Sequence, residues 1–434
     1  MRVTRLLAVV VALAAFWTSV AAAQAIPARG RFALFYDWSD RELTDGASYD
    51  SSQIIATLTF GSENSSEAGL IYGLDGRFAT FPGSEERDDR SSLYEAWVGY
   101  QGDNGRWTLR LGQMWLHELG ALGSVGGLFA QYRLPGQTPV GLFRFGIFGG
   151  LEPEILDVGY VDDIKKGGAY VAVDGNHGRK HLLGWVLIRN QDLTERSVLV
   201  FNNFIPIKRK FFLYQAMEYD LEGPAGVGSA ELTYFFASIR YTFSRFVWLQ
   251  GTYNYGRSID TRRIADDIIF GRPVTPETLE GLLFESGRIR VTVRPWKKLR
   301  LWAGYGRDQN NRGDDWYDRT NFGFSLVDII GFDLSGSFSQ IDRGTSSYDT
   351  TYMSLGRSFG QKVYVSLDYI TSLSVFRYER EDGGVLETRP ESERFALSAN
   401  VNLNRTFSLL ITGEVMEHDD FDEIRALTGL IIRF

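Results

Sequence analysis

The sequence predicts an all-β protein: a transmembrane, antiparallel, up-and-down β-barrel of about 22 strands (roughly 16 to 22, an even number), closed on itself and without a plug domain. Three observations carry this prediction. Segments of about ten residues alternate apolar and polar side chains along almost the whole chain, with turn-forming residues between them. After the first segment, no apolar run approaches the ~20 residues that a helix needs to cross a bilayer. A chain that spans lipid without helices must pair its backbone polar groups between strands, and only a closed barrel does so without leaving edges.

The first segment has its own character. Arg2 and Arg5 precede an apolar run from Leu6 to Trp17, and small residues follow. Ala21-Ala22-Ala23 and Ala23-Gln24-Ala25 are both Ala-x-Ala cleavage sites, so residues 1–25 read as a signal peptide cleaved near residue 23 or 25. An uncleaved anchor helix is the alternative, and the run is short for a span. Residues 26–434 then form one barrel domain, with no repeat, linker or second domain.

Strands are expected to begin near residues 31, 52, 67, 92, 106, 126, 140, 168, 181, 196, 211, 229, 246, 284, 299, 319, 332, 348, 362, 393, 406 and 424. Alternation is clearest in Arg31–Asp40, where Phe32, Leu34, Tyr36 and Trp38 share a face, and in Phe246–Gly256, where Val247, Leu249, Tyr253 and Tyr255 do. It is weakest near 67, 181 and 348. Connections alternate between short (Pro135–Pro139, Pro206–Lys210, Pro295–Lys298) and long (79–91, 149–167, 257–283, 308–318, 375–392). Acidic residues gather in the long connections and basic residues in the short ones.

Composition excludes several functions. The chain has no cysteine, which removes disulfides, thiolate metal sites and covalent c-type haem. No cofactor is expected. The formal charge of -8 becomes -10 once Arg2 and Arg5 leave with the leader, which argues against nucleic acid as a partner. The acidic rim either keeps the loops soluble, holds divalent cations or repels anions.

With the more apolar face of each strand assigned to lipid, the opposite face collects Glu95, Arg110, Arg144, Arg240, Arg288, Arg290, Arg294 and Arg300 as selectivity candidates. Such a lumen favours anionic or polyhydroxylated solutes. The alternative is a wall in which arginines pair with carboxylates across strands. The longest connection, 257–283, contributes Arg262, Arg263, Asp266 and Asp267 as constriction candidates, with Thr275 and Pro276 placed to start a short helix. It is expected to fold inward, lie over the mouth or contact a neighbour. The acidic loop 149–167 is a second candidate constriction.

Most tryptophans fall near strand ends, as interfacial girdles do, while Trp97, Trp248 and Trp302 fall on the lumen face, where sugars stack. Enzymatic signals are thin. His418-Asp419-Asp420 is faintly similar to the Asp/His chemistry of omptin proteases, without the further Asp and His that pattern needs, and no catalytic residue is assigned.

Both ends carry a family signal. The leader is one. The last residues, Ile424 to Phe434, place Ile424, Ala426, Leu430, Ile432 and Phe434 on one face of a strand that stops on an aromatic. The chain resembles bacterial outer-membrane β-barrels of the porin type, and the stretches Tyr94–Trp97 and Trp107–Gln113 look like a hairpin common in large porins. The resemblance implies insertion by the barrel-assembly machinery through the strand ending at Phe434, contact with outer-membrane lipid and lipopolysaccharide, and short turns and C-terminus in the periplasm. It implies a diffusion channel. The alternative is the barrel of an export or secretion conduit, for polysaccharide or for electrons carried by a partner cytochrome. An outer-membrane hydrolase ranks last.

Overall fold

The computed structural model describes residues 28–434, except 63–67, 83–86, 155–156, 209, 225–229, 276–277, 279–280, 312–315 and 380–384. The expected signal peptide lies outside the described residues. The strands are β1 (Ala28–Leu43), β2 (Ser48–Ser62), β3 (Gly69–Thr80), β4 (Arg90–Gln101), β5 (Trp107–Trp115), β6 (Ser124–Arg133), β7 (Leu142–Pro153) and β8 (Tyr160–Asp174). They continue with β9 (Lys180–Asn190), β10 (Leu193–Ile207), β11 (Phe211–Glu222), β12 (Glu231–Thr242), β13 (Val247–Ser258), β14 (Leu282–Trp296), β15 (Leu299–Asn310) and β16 (Tyr317–Ile329). The last are β17 (Phe332–Asp342), β18 (Ser346–Phe359), β19 (Val363–Glu379), β20 (Val385–Thr388), β21 (Glu391–Asn402), β22 (Phe407–His418) and β23 (Phe421–Arg433).

Each strand pairs antiparallel with its sequence neighbour, and β1 pairs with both β2 and β23, from Arg31 opposite Arg433 to Leu43 opposite Phe421. That pairing closes the barrel and removes both sheet edges. The four-residue β20 pairs only with β19, which also pairs directly with β21, so 22 strands form the wall. Among the described residues there is no plug domain.

The pleat sorts the side chains. On β5, Leu109 and Leu111 point out and Thr108 and Arg110 point in; on β14, Ile289 and Val291 point out and Arg288 and Arg290 point in. The outward set forms a continuous exposed apolar belt, in which Leu128 keeps 64% and Ile147 61% of its surface exposed. A belt of that extent is untenable against water, since soluble proteins rarely expose more than a few hundred Å² of contiguous apolar surface. Against hydrocarbon it costs nothing.

All 22 wall strands begin within a few residues of their expected positions except β8, which starts at Tyr160 and not near 168. This corrects the expected loop 149–167. Its ends are strand, with Gly149 opposite Gly167 and Pro153 opposite Tyr160. The physical reason is height. Above the lipid, both faces of a strand meet water, so Asp162, Asp163, Lys165 and Lys166 interrupt the alternation, and the ladder with β7 resumes at Tyr160 after a register shift between Leu151 and Pro153. The segment is therefore wall, and its Glu152 acts from β7.

An apolar cluster fills part of the barrel interior. Met114, Leu119, Val125, Phe129, Val186 and Val198 are buried there, far from the lipid belt.

Candidate constriction and arginine-lined wall

Two connections enter the barrel. The first joins β5 to β6. Leu116 N–H donates to the Gly123 carbonyl at 2.9 Å, pinching the base of the loop, and Leu119 N–H donates to Leu116 at 2.9 Å. Gly120 turns the chain at φ +60°. The loop then seats Leu119, 1% exposed, over Gly184 of β9, where a Cβ would stand 2.6 Å from the Leu119 side chain. Glu118 completes the attachment: its carboxylate lies 2.9 Å from Arg144 of β7, and its carbonyl accepts from Asn202 of β10 at 2.7 Å. Burial works against the Glu118 carboxylate, but the Arg144 guanidinium outweighs it and holds the carboxyl below its usual range. Arg144 also takes Asp174 at 2.7 Å.

The second is helix α1 (Thr261–Ile269), in the connection from β13 to β14. Asp260 caps it by accepting the Arg263 N–H at 3.0 Å. Ile264 and Ala265 are fully buried. Arg262 reaches Glu152 of β7 at 2.7 Å and Glu195 of β10 at 3.4 Å, and Asn190 of β9 donates to Asp266 at 2.8 Å. A loop rooted at β13 thus crosses to the inner wall of β7–β10. Arg263 stays exposed, and Asp267 pairs with Arg272 at 2.8 Å. The expected helix start at Thr275–Pro276 falls largely outside the described residues; Thr275 Oγ1 accepts Thr278 N–H at 3.4 Å.

Beside α1 the inner wall carries a packed charge network. Arg196 of β10 binds Asp220 at 2.7 Å and Glu218 at 3.1 Å, and Asp220 also accepts Thr233 Oγ1 at 2.9 Å. Lys166, 4% exposed, lies 4.0 Å from Glu152.

Further round the barrel the wall is open. Arg240 and Arg300 stand over the Trp248 ring, 5.1 and 5.7 Å from its centroid. Arg290 faces the lumen opposite Gln250. Arg294 donates to the Lys297 carbonyl at 2.8 Å, and Arg288 reaches Asp308 at 3.3 Å. Arg110, on the side of the inserted loop, lies 4.3 Å from the Trp97 ring and 5.5 Å from that of Phe129, while Glu95 accepts the Trp97 indole N–H at 3.2 Å. Beyond β15 the inner face carries serines, with Ser325 opposite Ser335 and Ser335 opposite Ser354, and then paired charges, Arg394 with Glu414 at 2.6 Å and Arg425 with Asp37 at 2.5 Å. A cavity of 580 Å³ lies between the inserted loop and α1, and one of 600 Å³ lies between that loop and Asp174.

The structure therefore gathers the candidates into two kinds. Arg144, Arg262 and Arg288 meet carboxylates; Arg240, Arg290 and Arg300 do not, among the described residues. Sequence reasoning missed the β5–β6 loop, Arg196 with its acids, and the helical span of α1. The last had a signal, since Ile264, Ala265 and Ile268 share one helical face behind Asp260. Among the histidines, His117 stands 3.8 Å from Glu95, and His418 Nδ1 accepts the Asp420 backbone N–H at 3.0 Å.

This fold and lumen define a transmembrane β-barrel with a narrowed, polar interior. No protein-family model and no curated protein matches the sequence. Among solved structures, the chain is similar to Acinetobacter baumannii OccAB2 at 9% identity and TM-score 0.48, over 94% of this chain and 98% of that one. It is similar to Pseudomonas aeruginosa OpdQ at 9% identity and TM-score 0.46, over 94% and 99%. It is also similar to P. aeruginosa OccK8 (OprE) at 8% identity and TM-score 0.45, over 94% and 98%.

Proposed function

We propose that the protein is a porin-like channel of the bacterial outer membrane, with its C-terminus in the periplasm, and that it passes small polar or anionic solutes by diffusion. The observation that carries this reading is the inner wall: a closed barrel with an apolar exterior displays water-facing guanidiniums that no carboxylate among the described residues neutralises. Uncompensated positive charge lowers the barrier for anions and raises it for cations. The inserted loop and α1 confine the path to one side of the lumen, which favours small solutes over a polymer or a sheathed cytochrome.

Planar bilayers test it. The folded barrel is expected to conduct in discrete steps, and a KCl gradient is expected to give a reversal potential of anion-selective sign. Arg290→Ala with Arg300→Ala should move that potential toward zero. A folded barrel that never conducts overturns the channel, and a cation-selective one overturns the solute class.

A further inference from the structure

Arg240, Arg290 and Arg300 form a site of their own within the channel reading. They come from β12, β14 and β15 on the inner wall: Arg240 and Arg300 stand about the one Trp248 ring, and Arg290 lies across Gln250 from Arg240. Gln250 sits in register between Arg240 and Arg290, and Trp248 between Thr242 and Thr292. The inward residues directly across from them, Gln250, Gly304 and Ser325, and Thr292 between them are uncharged, while Arg288, two residues before Arg290, is paired with Asp308 at 3.3 Å. Arg240 opens into a cavity of 920 Å³ whose lining also carries Arg179, Lys208 and Lys210.

The manner of holding these arginines matters. A carboxylate that pairs with arginine cancels its charge and occupies its N–H fork. An indole face attracts the cation through its quadrupole and leaves both charge and donors available. Arg240 and Arg300, gathered about the one Trp248 ring, are therefore positioned but not neutralised. Three uncompensated guanidiniums call for more than one negative charge, and their planar forks match the geometry of a tetrahedral oxyanion. A monocarboxylate leaves most of that charge unanswered.

We propose that Arg240, Arg290 and Arg300 bind a doubly charged tetrahedral oxyanion, either phosphate or the phosphoryl group of a small ester, and that Trp248 is a positioning residue for the site.

Titration calorimetry on the folded, detergent-solubilised chain tests this without requiring conduction. Inorganic phosphate, glycerol 3-phosphate and acetate are compared at one ionic strength. Phosphate or its ester is expected to bind about tenfold or more tighter than acetate, and Arg240→Gln and Arg300→Gln each to weaken it about tenfold, in line with the loss of a charge-assisted fork. Trp248→Leu should weaken binding while Trp248→Phe, which keeps an aromatic face, restores it. Tighter free phosphate identifies the ion as ligand and tighter ester a phosphorylated solute; both support the site. Acetate binding as tightly as phosphate, or phosphate binding unchanged in the double arginine variant, overturns it. A barrel that conducts KCl yet shows no phosphate preference sinks this site and leaves the channel standing; one that prefers phosphate but never conducts does the reverse. Gel mobility with and without heating confirms that each variant is folded, and the wild-type comparison with acetate stands even where a variant is not.

Discussion

Arg196 and Arg290 both point into the same barrel, and their surroundings make them different objects. Arg196, on the filled side between β6 and β11, is clamped by Asp220 and Glu218 beneath α1. Arg290, on the open side, faces water across from Gln250. An inward arginine is therefore structural or electrostatic according to what the adjacent strand presents at the same height. The filled side uses charge to anchor inserted segments. The open side leaves charge for whatever passes.

The largest expected effect tests that contrast directly. Arg196→Ala leaves Asp220, whose side chain is 3% exposed, without its counter-ion, and removing one partner of a buried pair costs about 3–5 kcal/mol. Arg290→Ala removes a solvated group and should stay within about 0.5 kcal/mol of the parent. Urea unfolding in lipid vesicles measures both. Equal losses would erase the distinction between the two sides.

Next in size is the seat of the inserted loop. Gly184→Val places a side chain where the Leu119 methyl already lies, and overpacking of this kind costs about 1–3 kcal/mol. The cheapest relief is to lift the loop off β9, so single-channel conductance should rise as stability falls. Unchanged conductance would mean that the loop does not narrow the path. Arg262→Ala should act likewise on α1. It removes the contacts with Glu152 and Glu195, but Arg262 is partly exposed, so the cost is smaller, about 1 kcal/mol. Faster trypsin cleavage after Arg263 would report the loosened helix.

The same contrast explains what could be read without coordinates. Lipid imposes a strict two-residue period on the wall, so strands such as β1 and β14 announce themselves, and the matching ends β1 and β23 imply closure. Inward parity follows as well, which places Glu95 and the arginines of β5, β7, β12, β14 and β15 on the inner face. The filled side was not legible because it is made of non-local contacts. Leu119 finds Gly184, and Arg262 finds Glu152, across strands distant in sequence. The partner of Arg196 depends on the register shift at Ser197 and Val198, which no pattern of alternation reveals. The late start assigned to β8 has the opposite origin: above the lipid the constraint that writes the alternation is gone.

The smallest effect is a matter of pH. The Glu118 carboxyl is held below its usual range by Arg144, so the folded state binds its proton less readily than the unfolded chain. Its contribution to holding the loop is then fully present above the ordinary glutamate value of about 4.3 and fades as pH falls through the lower folded-state value. Conductance should be steady from neutral pH down to about 5 and begin to rise or flicker only below about 4. Glu118→Gln, which keeps the shape but gives up the charge, should show at neutral pH the looser behaviour that the parent shows only in acid. If the parent instead changed between pH 6 and 7, a different group would be holding the loop, and the anchoring assigned to Arg144 would have to move elsewhere on the filled side.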